Sequence, residues 1–326
     1  MWIIRKIVFF LMFLGAADIA LFFLNPVFSY KVKKEVLIVS GASFQSVADL
    51  LKERELISNA LYFRLLGKWT KSDQKIKPGV YHLHTAMLPS EILEIMVAGK
   101  IAQKEVTLRE GLTSTEIARI LYNAGLGAEA DFLFSTRDPV LLHEFGIGAE
   151  SLEGYLFPET YFFSMGASPD EMVRQMVSQF QSRFSASLQR QAVFMGMTQR
   201  EVVTLASIID KETGSNEERT IISAVFHNRL KLGMRLQSDP TVIFGIKNFN
   251  GNLTRKDLTT STPYNTYMVF GLPPGPISNP GEASLIAALH PAKVDYLYFV
   301  SKNNGTHYFS ETLEEHNAAV NRYQRN

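Results

Sequence analysis

The chain contains no cysteine. A disulfide framework, a thiolate metal site and a cysteine nucleophile are all excluded. A thiol-free chain is safe in an oxidising compartment, although that absence alone does not place it there. An excess of one charge is missing too. There are 33 Lys and Arg against 32 Asp and Glu, a formal net charge of +1. Nothing draws the protein broadly to nucleic acid, and nucleic acid is not expected as a partner. No GxSxG, HExxH, Walker loop or dinucleotide fingerprint occurs, so those chemistries have no support. His290, His307 and His316 are not at metal-ligand spacing, and the histidines read as core or surface hydrogen-bonders. Neither a metal nor another cofactor is expected. No low-complexity stretch stands out.

The chain does have length and one long apolar run. With 326 residues, 46% of them hydrophobic, it can build two modest domains, each with its own core. The run from Ile7 to Leu24 carries one charge, Asp18. At 1.5 Å per residue it spans roughly 27 Å, about the thickness of a hydrocarbon core. A cleaved signal peptide would have a shorter apolar region and a small-x-small site; Asn25-Pro26-Val27-Phe28-Ser29 is a poor one. Residues 1–29 are therefore expected to be an uncleaved membrane anchor. Arg5 and Lys6 on one flank balance Lys31, Lys33 and Lys34 on the other, so charge does not fix its orientation.

An internal echo follows. The stretch from Val36 aligns without a gap with the stretch from Val106, at an offset of 70. Gly41 matches Gly111, Ala48 matches Ala118, and Leu51 and Leu56 match Leu121 and Leu126. Each copy reads as a strand, a glycine turn and an amphipathic helix. Between them, Pro78-Gly79 reads as a turn, Val80 to His84 as a strand, and the stretch after Pro89-Ser90 as a helix. The stretch from Pro169 to Met197 reads as one long helix with Met172, Val173, Met176, Val177 and Phe180 on its apolar face. Near the C-terminus two aromatic-rich strands flank the turn Lys302-Asn303-Asn304-Gly305.

The chemistry centres on "TLASIIDKETGSNEER", residues 204–219. An apolar helix runs into Asp210, Lys211 and Glu212, and Gly214 is placed to end it in the left-handed conformation. Ser215 and Glu218 fit a capping box for the next helix. Asp210 and Glu212 are two residues apart and point to different faces. A carboxylate at a helix C-terminus feels the negative end of the dipole, which raises its pKa, as a general acid at neutral pH requires. A solvated helix end is the plainer reading. "RLQSDPTV" contributes Gln237 and Asp239 at a turn. Tyr264, Asn265 and Tyr267 precede a stiff loop with four prolines and three glycines between Gly271 and Gly281. Such loops suit sugars, whose rings stack on aromatics. "LEGYLFPETYFF" sets Glu153 and Glu159 among five aromatics, where a carboxylate needs a partner.

"LEGYLFPETY", "ASIIDKET", "RLQSDPTV", "YNTY…GLPPGPISNPG", "AALHPA…YLYFV" and "HNAAVNRY" stand in the order found in the membrane-anchored endolytic murein transglycosylases. The chain resembles this MltG or YceG-like family from the anchor to the C-terminus. The resemblance implies an α+β protein with an N-terminal transmembrane helix (1–29), a small LysM-like α+β module (30–104) and a mixed α/β catalytic domain (105–326). It implies a single pass through the inner (plasma) membrane, with the body in the periplasm or extracytoplasmic space. The implied reaction cleaves the MurNAc–GlcNAc β-1,4 bond within peptidoglycan glycan strands, without water, and leaves 1,6-anhydro-MurNAc ends. Nascent strands are the implied substrate and peptidoglycan synthases the implied partners. By position the family's catalytic glutamate falls on Glu212. The first acidic position of that motif holds Asp210 in place of the usual Glu, which leaves its role open. Glu153, Glu159, Gln237, Asp239, Asn265 and Tyr267 are candidates for substrate contact or for orienting Glu212. Two other classes remain: a hydrolase with Asp239 or Glu159 as base, and a non-catalytic peptidoglycan-binding anchor for synthases.

Overall fold

The computed structural model describes residues 2–324. Helix α1 (Trp2–Leu24) is followed by β1 (Lys33–Ile38), α2 (Phe44–Glu53), α3 (Ala60–Trp69), β2 (Gly79–His84) and α4 (Pro89–Ala98). Next come β3 (Gln103–Thr107), α5 (Ser114–Asn123), α6 (Glu129–Ser135), α7 (Pro139–Glu144) and β4 (Thr160–Ser164). The helical stretch comprises α8 (Pro169–Arg183), α9 (Ala186–Phe194), α10 (Gln199–Glu212), α11 (Asn216–Lys231), α12 (Asp239–Gly245), α13 (Arg255–Thr259) and α14 (Glu282–Leu289). Strands β5 (Tyr298–Ser301) and β6 (His307–Ser310) precede α15 (Leu313–Gln324). The chain divides into two compact units, Met1–Glu105 with Phe162–Ala167, and Val106–Tyr161 with Ser168–Asn326.

In the first unit, α1 is long and apolar enough to cross a membrane. The remainder runs β-α-α-β-α. Strands β1 and β2 pair antiparallel, Val36 opposite Tyr81. Val36, Ile38, Tyr81 and Leu83 face a core completed by Val47, Leu51, Phe63, Ile92 and Met96. Exposed His82 lies across from Glu35, at 3.7 Å. Pro89 occupies the first turn of α4, and Gly99 ends that helix at φ 68°, a conformation that costs glycine little.

The offset of 70 holds in three dimensions. Gly41 and Gly111 have φ of 80° and 76°, Ser43 and Thr113 cap the helices that follow, and α2 and α5 have matching bounds. Both helices close alike: Leu56 N donates to Leu51 O at 2.9 Å and Leu126 N to Leu121 O at 3.0 Å.

The second unit is mainly helical. The stretch read as one helix from Pro169 is two, α8 and α9. Phe184, at ψ 68°, leaves the helical conformation, stacks on Phe180 and is buried, while Ser185 caps α9. Burying Phe184 and capping a new helix outweigh continuing the old one. Met172, Val173, Met176, Val177 and Phe180 form the buried face of α8. At the centre lies α10, started by the reciprocal Thr198–Glu201 capping box and buried at every position from Val202 to Ile209. It packs on α14 and α11. The proline-rich loop, buried from Gly275 to Pro280, is stapled to α10. Ile277 N donates to Ser207 Oγ at 3.0 Å, and Ser278 Oγ donates to Ser207 O at 3.3 Å. The antiparallel hairpin β5–β6 and α15 complete the unit.

Candidate active site

Glu212 is the last residue of α10. Thr213 turns extended, at φ −148° and ψ 139°, and ends the helix; Gly214, expected to do so left-handed, has no positive φ. Asp210 and Glu212 leave the helix on different sides. Ser284 Oγ donates to Asp210 Oδ1 at 2.5 Å. Arg219 Nη2 lies 3.8 Å from that oxygen and 3.0 Å from Glu110 Oε2. The Asp210 side chain is 2% exposed, and burial pushes its pKa up to about 6.

Glu212 faces a cavity of about 490 Å³, lined also by Arg229, Gln237, Asp239, Tyr267, Tyr298, His307 and His316. Protein encloses its carboxyl on the remaining sides. That loss of hydration, reinforced by the Asp239 charge, raises its pKa to about 7, against the opposing pull of the Ser238 hydroxyl, His307 and Arg229. Ser238 Oγ donates to Glu212 Oε1 at 2.5 Å. Among the described residues Glu212 makes no ion pair.

Ser238 is itself tightly held. Its N–H donates to Thr266 Oγ1 at 3.0 Å, and its carbonyl accepts from Thr241 Oγ1 at 2.6 Å. Gln237 before it takes φ 52°, a conformation that costs a non-glycine residue on the order of 1–3 kcal/mol. Gln237 N–H donates to Thr266 O at 3.1 Å, which keeps the turn that presents Ser238. Asp239 opens α12, and Tyr267 Oη donates to its Oδ1 at 2.6 Å. Arg229 reaches in from α11 with its fork committed: Nε donates to Leu297 O at 2.7 Å and Nη1 to Leu236 O at 2.9 Å. Its cationic face lies 5.2 Å from the Tyr298 ring.

The cavity thus gathers Glu212, Gln237, Asp239 and Tyr267. Asn265 stands behind it, fully buried. Its amide donates to the carbonyls of Asp257, Leu258 and Thr260 at 3.1, 3.1 and 2.7 Å, and its Oδ1 accepts from Tyr267 N–H at 2.9 Å. It shapes the loop that carries Tyr267. Glu153 and Glu159 do not line the cavity. Glu153 accepts from Ser114 N–H at 3.1 Å and from Asn279 Nδ2 at 2.9 Å, and burial raises its pKa to about 7. Asn279 Oδ1 accepts from Gly154 N–H at 2.8 Å and Leu156 N–H at 2.9 Å. Two of the quoted motifs therefore meet in one joint. Gly154 belongs to it because a Cβ there would run into Pro276 and Val203. Glu159 pairs with Arg183 at 3.2 Å.

Three features escaped the sequence reading. Ser238 read only as part of the polar turn between two candidates. Arg229 looked like an ordinary helix residue. Glu218 makes no capping box, since Ser215 gives no side-chain cap. It accepts instead from His307 N–H at 2.9 Å and from His307 Nδ1 at 2.7 Å, and so fixes a histidine on the cavity wall. The partners lie 89 positions apart, and no local pattern carries that signal. Among the described residues no cluster of three or more His, Asp or Glu could hold a metal ion.

Residues 36–322 match the model of the YceG-like family. The chain is 32% identical over 312 residues to the endolytic murein transglycosylase of Bacillus subtilis, covering 90% of this chain and 85% of that one. Against the endolytic murein transglycosylase of Streptococcus pneumoniae it is 28% identical, covering 87% of this chain and 57% of that one. The crystal structure of a yceG-like protein from Listeria monocytogenes superposes with a TM-score of 0.62 at 35% identity, covering 89% of this chain and all of that one.

Proposed function

The chain belongs to the YceG-like family, and from that premise we propose that it is an endolytic peptidoglycan lytic transglycosylase with Glu212 as its acid and base. The observation that carries this reading is the state of Glu212: a carboxyl on the wall of an open cavity, bonded to a hydroxyl and not to a cation, with its pKa raised to about 7. Such a group is substantially protonated near neutral pH, as a general acid must be.

Protonated Glu212 gives its proton to the glycosidic oxygen. The C1–O bond of MurNAc breaks, and GlcNAc leaves with a free 4-hydroxyl. Positive charge develops at C1. The C6 hydroxyl of the same MurNAc closes onto C1 and gives its proton to the Glu212 carboxylate, which restores the acid. One obligatory carboxylate suffices, unlike the pair of ordinary glycosidases. Ser238 stabilises the carboxylate between the two transfers. Tyr267 and Asp239, joined by their hydrogen bond, and Gln237 provide fixed polar partners for sugar hydroxyls. Acid–base catalysis of this kind contributes on the order of 10²–10⁴-fold.

Helix α1 serves as a single-pass anchor in the plasma membrane, with the body in the periplasm or extracytoplasmic space. The β-α-α-β order of residues 33–84 supports a LysM-like module, with residues 105–326 as the catalytic domain. Nascent glycan strands as substrate and peptidoglycan synthases as partners belong to the same reading.

The test is digestion of isolated sacculi by the full chain in detergent, with mass spectrometry of the products. Anhydro ends from the wild type and none from Glu212→Gln are expected. A Glu212→Gln protein that trims strands at a near-normal rate removes the mechanism. Asp239 on the cavity wall keeps a hydrolase as the second reading; ends heavier by one water would favour it.

A further inference from the structure

Asp18 is the one charge in the apolar run of α1, and a carboxylate within a bilayer is costly without a partner. It has one: Tyr62 Oη donates to Asp18 Oδ2 at 2.8 Å. Four residues on, Phe22 is buried in the core of the first unit and meets the Tyr62 ring edge-on at 5.5 Å. Helix α3 therefore grips the end of α1. Asp18 precedes Leu24 by roughly 9 Å along the helix axis, so this grip reaches down into the apolar run.

Helix α3 has two unlike faces. Ala60, Phe63, Leu66 and Gly67 are buried. Leu61, Leu65 and Trp69 are 55, 53 and 82% exposed. Their four-residue spacing makes one stripe. Trp69 lies seven positions after Tyr62, almost two full turns, so it points to nearly the same side roughly 10 Å further along the axis. The side of α3 that meets α1 at Tyr62 thus continues along the helix as exposed Leu65 and Trp69. Arg64 and Lys68 flank the stripe, and Lys71 follows it.

We propose that the Leu61, Leu65 and Trp69 stripe of α3 docks into the interfacial layer of an anionic bilayer, the same bilayer that α1 crosses. The inference rests on reading α1 as the anchor. Continuity selects lipid as the occupant: Tyr62 ties α3 to α1 at Asp18, inside the apolar run, and the exposed stripe belongs to that same helix. Charge agrees, since Arg64, Lys68 and Lys71, with Lys31, Lys33 and Lys34 beyond α1, suit anionic headgroups. Tryptophan is the side chain favoured at that depth. The bond to Tyr62 satisfies Asp18 within the run. The first unit lies on the membrane and does not swing from a tether.

Trp2 and Trp69 are the only tryptophans, which makes the test direct. Full-length Trp2→Phe and Trp69→Phe proteins are reconstituted in vesicles of phosphatidylethanolamine and phosphatidylglycerol, with or without brominated acyl chains. In the Trp2→Phe protein, Trp69 emission is expected to be blue-shifted, to lose half its intensity or more with brominated lipid, and to resist aqueous iodide. Adding Leu65→Glu should reverse all three while Trp2, read in a Trp69→Phe, Leu65→Glu chain, stays quenched by lipid. If Trp2 is quenched by lipid and Trp69 only by iodide, the anchor holds and the docking falls. If neither responds to lipid, the anchor reading falls and takes the docking with it. A blue-shifted Trp69 that brominated lipid does not quench is covered by protein, which also overturns the proposal.

Discussion

Ser238→Ala probes the acid without touching it. The hydroxyl's hydrogen bond is to Glu212 Oε1, at 2.5 Å. The bonds that hold the Ser238 backbone, from Ser238 N–H to Thr266 and from Thr241 to the Ser238 carbonyl, survive the substitution. A hydrogen bond to a charged group contributes about 1.5–3 kcal/mol. The hydroxyl favours the ionised form, so its removal raises the Glu212 pKa by about 1–2 units at 1.36 kcal/mol per unit. Starting from about 7, the pKa moves to about 8–9. In the proposed mechanism Glu212 must be protonated to act, so kcat/KM falls about tenfold per pH unit above that pKa. The alkaline limb should therefore shift upward by about 1–2 pH units. On the plateau below it the variant is slower. With about half the proton transferred in the transition state, half of the lost stabilisation is felt there, a rate loss of about 3- to 10-fold. The assay is release of anhydro-ended fragments from sacculi across the pH range. A merely structural lesion would lower the whole profile and leave the limb in place. A limb that stays put, or moves to lower pH, refutes the assignment of the limb to Glu212.

Two further outcomes concern stability. Glu153 has its pKa raised to about 7 from 4.5, so between those values the native state binds more protons than the unfolded state. The stabilisation is complete below about pH 4.5, is lost as pH rises through about 7, and amounts to a few kcal/mol, on the order of 3. Glu153→Gln keeps an acceptor for Ser114 and Asn279, and should flatten the decline in melting temperature between about pH 5 and pH 8; an unchanged decline would contradict the burial argument. Asn265→Ala removes three donated bonds and the acceptor of the Tyr267 N–H from a fully buried site, with an expected loss of about 2–4 kcal/mol in denaturant unfolding. A near-neutral result would mean that the loop carrying Tyr267 is held by something else.

Much of this was legible because it is local. The apolar run of α1, the amphipathic helices α2 and α5 after their glycine turns, the buried stripe of α8 and the Asn303–Gly305 turn of the hairpin all follow from spacings within about 20 residues. The different directions of Asp210 and Glu212 follow from helix geometry alone. The legible part stops where tertiary closure decides. Glu218 had the right distance from Ser215 for a cap, yet a histidine in the distant hairpin competes for it and wins. Asn265 and Glu153 looked like ligand-facing polar residues, because a buried staple and a substrate contact present the same letter in the same aromatic setting. Burial, not the helix dipole, is the main cause of the raised Glu212 pKa, and burial depends on α12 and the hairpin lying across the end of α10. The break at Phe184 was hidden because the preceding apolar spacing runs on through it.

The all-round enclosure of α10 has a mechanical consequence. A rod sealed along eight successive positions can neither roll nor slide without displacing its neighbours, and the proline-rich brace pins it from behind. The proposed proton donor at its tip, Glu212, is a stator. Whatever repositioning a turnover needs must come from the polymer, or from the thinner hairpin and terminal helix on the opposite wall.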